Sequence, residues 1–313
     1  MKEVYVRNSK RKKFEKVANA FNGNLKDKSN QVIWVDYLNP TKEELLELSA
    51  QLHIEFNDLL LALDEAESPR IEELNRYSFI LFNTPLYKRY VYAATLGIYL
   101  KKNYVITIHK DDLKSISYVK EKILKIRAET PSLFVHLILE RVIKHFDTRL
   151  CEIEDSIDKL ETEVLKKVTK DYTDIAYPLK RTLIYFRNGL RYNTEVLKLL
   201  RNGEIFNRKY DFFQDLYQDS KQLIDEEAIF RERLTDIINT HLNTMSIDLN
   251  KVMKSFTVLA TLILLPSLIT GFFGMNFKYI PGLEWKYGYL LAIGIMLAGV
   301  TAMMIFFYKK KWL

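Results

Sequence analysis

The residues best placed to do chemistry lie on one apolar segment near the C-terminal end of the 313-residue chain. Asn250, Thr257, Leu264 and Gly271 recur every seven residues, and so do Met253, Ala260, Ser267 and Gly274. On a helix they form two parallel rows on one face. Small residues in such rows permit close approach of neighbouring helices, which is one reading of the face. The other is a narrow polar pathway, and it requires an oligomer, because one pair of spanning helices cannot enclose a pore. Enzyme chemistry has little foothold elsewhere. No P-loop, GxGxxG, GxSxG or HExxH motif occurs, and the five histidines (His53, His109, His136, His145, His241) form no short-spaced ligand set. No enzymatic activity is expected, and His109, at the end of a strand-like run, reads as structural. Cys151 is the only cysteine, which excludes an intramolecular disulfide and a Cys-based zinc site and fits a reducing environment. Beside an apolar helical seam, it reads as a packing residue.

These rows are carried by a membrane-type segment. Residues 255–275 and 287–308 contain no charge, and each run is long enough to cross a hydrocarbon core of about 30 Å at about 1.5 Å per helical residue. Two transmembrane helices are expected, joined by a short loop over 276–286. Lys251 and Lys254 precede the first span, and Lys309, Lys310 and Lys311 follow the second in a basic tail over 309–313. Lys278 and Lys286 in the loop are offset by Glu284. The excess of basic flanks puts both termini in the cytoplasm of a multi-pass protein of the cell membrane. Residues 1–20 are charged and lack a continuous apolar core, so no signal peptide is expected.

Composition agrees with a structured protein. The chain is 48% hydrophobic and 28% charged, too apolar for a disordered tail, and its net charge of +7 suits nucleic acid, an anionic lipid surface or the inner face of a membrane. The two spans favour the membrane, and no nucleic-acid partner is expected.

The part ahead of the spans must hold them. Between Gly203 and Pro266 there is no Gly or Pro, and Leu216, Leu223, Phe230 and Ile237, then Ile238, Met245, Val252 and Leu259, recur at seven-residue intervals. One helix is predicted to run through a stalk over 204–254 into the first span. Upstream, over 131–203, a coiled-coil-like hairpin is expected to start at Pro131, with a seam of Ile143, Phe146, Leu150, Ile153, Ile157, Leu160 and Val164. Its outer face is acidic through Glu152, Glu154, Asp155, Asp158, Glu161 and Glu163. Such faces are usually solvated; cation binding is the alternative. The second arm includes 174–200, interrupted or started at Pro178, and ends near Asn202 and Gly203. Over 1–130 an α/β domain is predicted. QVIWVDYL, YSFILFNTPLY, YVYAATLGIYL and NYVITIHK read as strands, TKEELLELSAQL and DDLKSISYVKEKIL as helices, the first with a Thr41/Glu44 capping box.

Gly274-Met275-Asn276, followed by Phe277, closes the first span. With a second span behind it and a long helix and α/β domain ahead, it resembles the CorA family of divalent-cation channels and transporters across essentially the whole chain, most clearly after residue 205. The resemblance implies a membrane homopentamer in which an α/β cytoplasmic domain and a long-helix coiled-coil stalk precede two transmembrane helices, the first lining the pore. It implies passive Mg²⁺ influx, with Co²⁺ and Ni²⁺ as possible further cargo, no organic cofactor, and Mg²⁺ itself as regulator.

Mg²⁺ sheds its waters reluctantly, so a filter of neutral acceptors can read the hydrated ion. The family pattern makes Gly274, Met275 and Asn276 that filter: Asn276 carbonyls and backbone carbonyls near Gly274 face the waters, and Met275 packs in support. It makes Asn250, Met253, Thr257, Ala260, Leu264, Ser267 and Gly271 pore-lining, and Met253 with Phe256 or Leu264 a hydrophobic gate. Acids between subunits are implied to bind intracellular Mg²⁺ and hold the pore shut. Asp215 is the first candidate, with Asp211 and Asp219 nearby, and Asp64 the partner from the α/β domain, Asp58 being the reserve. Surface salt bridging is the alternative for each.

The chain departs from the pattern at Lys278 and Gly282, where acids are common, leaving Glu284 as the acid of the loop, and at Phe273, where tyrosine is usual. The competing readings are a Zn²⁺ or other divalent transporter like the ZntB branch, for which the spans offer no His or Cys, and a membrane-anchored coiled-coil interaction protein.

Overall fold

The structure, a computed structural model, describes residues 2–8, 13–17, 31–87, 91–166, 172–206, 211–278, 280–282 and 285–312. The chain divides into two compact units, residues 1–237 and 238–313.

In the first unit a seven-stranded sheet has the order β2-β1-β3-β7-β6-β5-β4. Its strands are β1 (Lys2–Asn8), β2 (Lys13–Val17), β3 (Ile33–Leu38), β4 (Arg70–Glu73), β5 (Ser78–Tyr87), β6 (Val91–Lys101) and β7 (Tyr104–His109). β3 and β7 pair in parallel, Val35 opposite Ile106, and the other neighbours are antiparallel. The strand-like runs of the sequence are β3, β5, β6 and β7. β1, β2 and β4 lie outside those runs.

Alternation along β3 splits its side chains between two cores. Ile33, Val35 and Tyr37 pack with Leu45, Leu48 and Leu52 of α1 (Lys42–Leu52) and Leu59 of α2 (Phe56–Leu61). The expected capping box starts α1: Thr41 Oγ1 accepts from Glu44 N–H at 3.3 Å and Glu44 Oε2 from Thr41 N–H at 2.9 Å. Trp34 points the other way, its ring 5.2 Å from Phe134 and its Nε1–H donating to Thr107 Oγ1 at 2.9 Å. Asp36, on the same face, is fully buried. It takes the Lys120 ammonium of α3 (Lys114–Lys122) at 2.6 Å and faces His109 Nε2 at 3.1 Å. Burial pushes the Asp36 carboxyl up, but hydrogen bonding from His109 and then the Lys120 ammonium outweigh it and hold the carboxyl below the usual carboxylate range. His109 Nδ1 donates to the Asp111 carbonyl at 2.6 Å, so this histidine is a structural tie between strand and loop.

Two long helices pack against the sheet, the first of them on the Trp34 face through Phe134. α4 (Pro131–Leu165) is capped by Thr130, whose Oγ1 accepts from Leu133 N–H at 3.2 Å, and α5 spans Tyr172–Asn202. All seven predicted seam residues of α4 are buried. Pro178 neither starts nor interrupts α5; it sits inside the helix. Cys151 corrects an expectation: it is exposed, because one step of about 100° from Leu150 carries it off the seam. α5 lies close to the sheet at Gly189, where an added Cβ would stand 3.5 Å from the Ala93 Cβ and 3.6 Å from the Asn83 Cβ. Asn193 brackets the Asn83 peptide, its Oδ1 accepting from Asn83 N–H and its Nδ2 donating to Asn83 O, both at 2.8 Å.

α6 is one helix of 63 residues, Asp211–Phe273, about 95 Å at 1.5 Å per residue. Within the first unit its buried residues include Leu216, Leu223, Phe230 and Ile237. Within the second, Met245, Val252 and Leu259 of the continuing heptad row are exposed. α7 spans Gly288–Lys309.

Candidate ion pathway

The membrane unit is built from the C-terminal part of α6 and from α7, which among the described residues are the two helices long and apolar enough to cross a membrane. Val258 of α6 is buried, as is Ala292 of α7. Leu265, seven residues after Val258 and so on the same face, fits against Gly299 of α7: a Cβ on Gly299 would come within 2.5 Å of Leu265 Cδ2. This fixes which face of α6 turns to its neighbour.

The two rows of the sequence lie elsewhere on the helix. At 3.6 residues per turn, Thr257, Leu264 and Gly271 sit about 100° from the Val258–Leu265 line, and Met253, Ala260 and Ser267 about 140–160° from it. Asn250, Met253, Thr257, Ala260, Leu264, Ser267 and Gly271 are all exposed in the single chain, and so is Phe256. The hydroxyls on this face are turned inward to their own backbone: Thr257 donates to Met253 O at 2.8 Å and Ser267 to Ile263 O at 2.9 Å. The free surface is therefore made of small groups, hydroxyl oxygens with lone pairs to spare, and the apolar ends of Met253, Phe256 and Leu264.

Pro266 lies inside α6, and the helix continues past it. Thr270 Oγ1 donates to Pro266 O at 3.0 Å. The helix ends at Phe273, with Gly274 N–H donating to Thr270 O at 2.9 Å and Met275 N–H to Phe272 O at 3.4 Å. A Cβ on Gly274 would press to 3.1 Å from that Thr270 oxygen, so glycine suits the close turn. Asn276 follows, exposed and outside the helix, and Met275, expected to pack, is exposed as well. Glu284 lies outside the described residues.

The acids proposed as regulators are in the first unit. Asp211, Asp215 and Asp219 follow one another at four-residue intervals on the first turns of α6. Burial and then Asp215 raise the Asp219 carboxyl above its ordinary value, with Asp147 and Glu140 of α4 adding to the effect and Lys144 opposing it. The His136 ring, 4.7 Å from Phe212, is pushed down by burial, which Glu140 and Asp215 oppose. Glu140 and Asp147 were not singled out in the sequence; their seven-residue spacing on a helix with many acids gives no signal until α6 is packed on it. Asp64 Oδ1 accepts from Ala66 N–H at 2.9 Å, and its carbonyl accepts from Thr95 Oγ1 at 3.0 Å, so it shapes the loop after α2. Asp58 accepts from the Tyr77 hydroxyl. Among the described residues no group of three or more His, Cys, Asp or Glu side chains could hold a metal ion, so one chain does not join Asp64 to the α6 acids in such a set. Part of the acidic face of α4 is neutralised, Arg233 reaching Asp158 at 2.6 Å and Glu161 at 2.9 Å.

The comparisons with known proteins bear on the whole of this architecture. The family model described as CorA-like Mg²⁺ transporter protein matches residues 29–311. The chain is 32% identical over 291 residues to the cobalt/magnesium transport protein CorA of Methanocaldococcus jannaschii, covering 90% of this chain and 92% of that one. To the protein of the same name from Thermotoga maritima it is 28% identical over 261 residues, 80% and 74% of the two chains. The complete structure of the CorA magnesium transporter from Methanocaldococcus jannaschii superposes with a TM-score of 0.90 at 29% identity, covering 100% of this chain and 99% of that chain. Sheet domain, long helix and paired apolar helices are thus shared from end to end, and the chain belongs to the CorA-like Mg²⁺ transporter family.

Proposed function

We propose that five copies of this chain form a channel in the cell membrane that admits Mg²⁺ to the cytoplasm and is closed by intracellular Mg²⁺. The observation that carries the reading is the face of α6 turned away from α7: it is exposed in one chain, continuous from Asn250 to Gly271, and leads directly to Gly274, Met275 and Asn276. Surface of this kind in a bilayer calls for neighbouring helices or a water-filled axis. Placing α6 around a five-fold axis gives it both, with α7 outside.

A ring of Asn276 carbonyl oxygens accepts hydrogen bonds from the water shell of Mg²⁺ and spares the ion the cost of dehydration. Below it the ion passes Gly271, Ser267, Ala260 and Thr257, where neutral groups hold it weakly enough for release. Met253, Phe256 and Leu264 close the path by dewetting. Both termini face the cytoplasm, so the membrane potential drives entry, worth about 4.6 kcal/mol for a divalent ion per 100 mV. Asp215, with Asp211 and Asp219, binds Mg²⁺ against Asp64 of the adjacent subunit and holds the stalks together when internal Mg²⁺ is abundant. Similarity to the cobalt/magnesium transport protein of Methanocaldococcus jannaschii supports Co²⁺ as second cargo.

The test is entry of Mg²⁺ into proteoliposomes that contain a Mg²⁺-sensitive dye, under an inside-negative potential, for wild type and Asn276→Ala, with Co²⁺ in parallel. Entry that is lost or loses its preference for Mg²⁺ in the variant is expected. No entry in either protein would overturn the channel, and identical, equally selective entry would remove Asn276 from the filter.

A further inference from the structure

At the end of the membrane unit opposite Asn276, the tail makes an arrangement that the ion pathway does not use. α7 stops at Lys309, and Lys311 adopts a left-handed conformation with φ of +56°. Lys310 N–H donates to Phe306 O at 3.1 Å and Trp312 N–H to Phe307 O at 3.0 Å, so the tail folds back over the last turn of its own helix. The fold-back stacks the Trp312 indole on Phe307, with ring centroids 5.7 Å apart and planes 21° from parallel. From the other helix, the Lys254 ammonium lies 5.9 Å from the centre of the same indole. Lys251, one turn earlier, is paired with Asp248 at 3.3 Å, and Tyr308, Lys309, Lys310 and Lys311 at the end of α7 are exposed.

Aromatic rings with one apolar and one wet side settle at the boundary between acyl chains and headgroups, and lysines at that depth draw anionic headgroups. A phosphate lying there meets ammonium groups from both helices, while the start of its acyl chain meets Trp312 and Tyr308. We propose that Lys254, Lys309, Lys310, Lys311 and Trp312 form a headgroup site for an anionic phospholipid of the inner leaflet. This rests on the reading that the spans cross the membrane with their basic ends in the cytoplasm. The site has a consequence for transport, because Lys254 stands between Met253 and Phe256: a headgroup phosphate that takes Lys254 from the indole acts on the turn of α6 that carries the gate.

The experiment follows Trp312 fluorescence in the full-length Trp285→Phe protein reconstituted in vesicles. The remaining tryptophan, Trp34, is fully buried in the sheet domain. Vesicles contain phosphatidylcholine and a minor fraction of phosphatidylglycerol, with bromine on the chains of one lipid or the other. Bromine on phosphatidylglycerol should quench Trp312 far beyond its share of the bilayer, and each tail lysine changed to Gln should cut that preference roughly fivefold. Quenching in proportion to lipid share, or a preference unchanged in Lys309→Gln/Lys310→Gln/Lys311→Gln, would overturn the site. Relief of the quenching by inorganic phosphate would assign the lysines to a free anion and overturn the lipid. Topology is judged separately in a Cys151→Ser background, by labelling Lys286→Cys and Lys309→Cys in intact cells with an impermeant maleimide. Labelling at Lys286→Cys alone is expected; labelling at Lys309→Cys would overturn the inner-leaflet assignment whatever the quenching.

Discussion

The Glu227 carboxyl is wholly buried on α6, and Arg231, one turn further, holds its Nε 3.4 Å away without a hydrogen bond between them. Glu227 falls in a row with Phe213, Ser220 and Leu234, seven residues apart and all buried, so a carboxyl occupies a position otherwise given to packing. Burial raises its pKa, and Arg231 and Arg187 offset only part of the effect. A carboxyl raised in the folded state keeps its proton there at a pH where the unfolded chain has lost it. The stabilisation is complete below the unfolded value near 4.5 and disappears as pH rises through the folded value. Glu227→Gln should therefore stabilise the protein at pH 7 by about 1–2 kcal/mol and change little at pH 4. Thermal unfolding of the detergent-solubilised protein across this range measures it; a variant less stable at pH 7 would show that the ion pair with Arg231 outweighs desolvation.

His145 on α4 should give the opposite slope. Burial, then Arg149 and Lys114, lower its pKa from 6.5 to about 4. The folded state therefore holds the imidazole neutral, and stability present above 6.5 is lost as pH falls toward 4. The loss amounts to about 3 kcal/mol as an order of magnitude. His145→Phe, which keeps a ring and removes the proton site, should flatten the acid limb of the stability profile. An acid limb as steep as in wild type would assign the loss to other groups.

Asn193 replaces two backbone partners at once, and its removal should be costly. In Asn193→Leu the Asn83 N–H and C=O are left buried without the amide that now satisfies them, at about 1–3 kcal/mol each. Asn193→Asp retains the acceptor and loses the donor, so its melting temperature should fall between those of wild type and Asn193→Leu.

How much of this was legible in the sequence depended on whether a residue's role is local. Apolar, β-branched runs announced β3, β5, β6 and β7, and Thr41 with Glu44 announced its own cap. RIEE and KFEKV carry no such signal; they are strands because β5 and β1 supply the pairing, Ile71 opposite Ile80 and Phe14 opposite Arg7. The rows on α6 were readable because seven-residue spacing alone puts residues on one face. Which acids face Asp219 was not, since that is decided by the packing of α4 on α6, and Cys151 was misplaced by the single step that separates it from Leu150.

Gly299 and Leu265 should behave as a size-matched pair. Gly299→Val places methyl groups where Leu265 Cδ2 now lies and forces α6 away from α7, turning the Met253–Gly271 face. Mg²⁺ entry should fall sharply in Gly299→Val and return in Gly299→Val/Leu265→Ala. Failure of the second change to restore entry, with both proteins folded and inserted, would show that the contact does not set the angle of the proposed pore-lining face.

The α6 acids make a prediction that links pH to gating. Asp219 titrates above the ordinary carboxylate value, through burial and then through Asp215, with Asp147 and Glu140 adding to the repulsion. A divalent cation relieves that repulsion, and so does a proton, so the two compete. Lowering internal pH should raise the Mg²⁺ concentration that half-closes the channel, starting at a higher pH than an ordinary aspartate would require. Asp215→Asn removes a charge from the proposed regulatory site and should raise the same midpoint roughly tenfold at neutral pH, the equivalent of about 1.4 kcal/mol of ion binding. If Asp64 from a neighbouring subunit completes the site, Asp64→Asn should have a similar effect, and the double variant should be little worse than either single one, because both remove the same ion. Independent, additive shifts would place Asp64 at another site, and an unchanged midpoint in Asp215→Asn would remove that residue from the sensor.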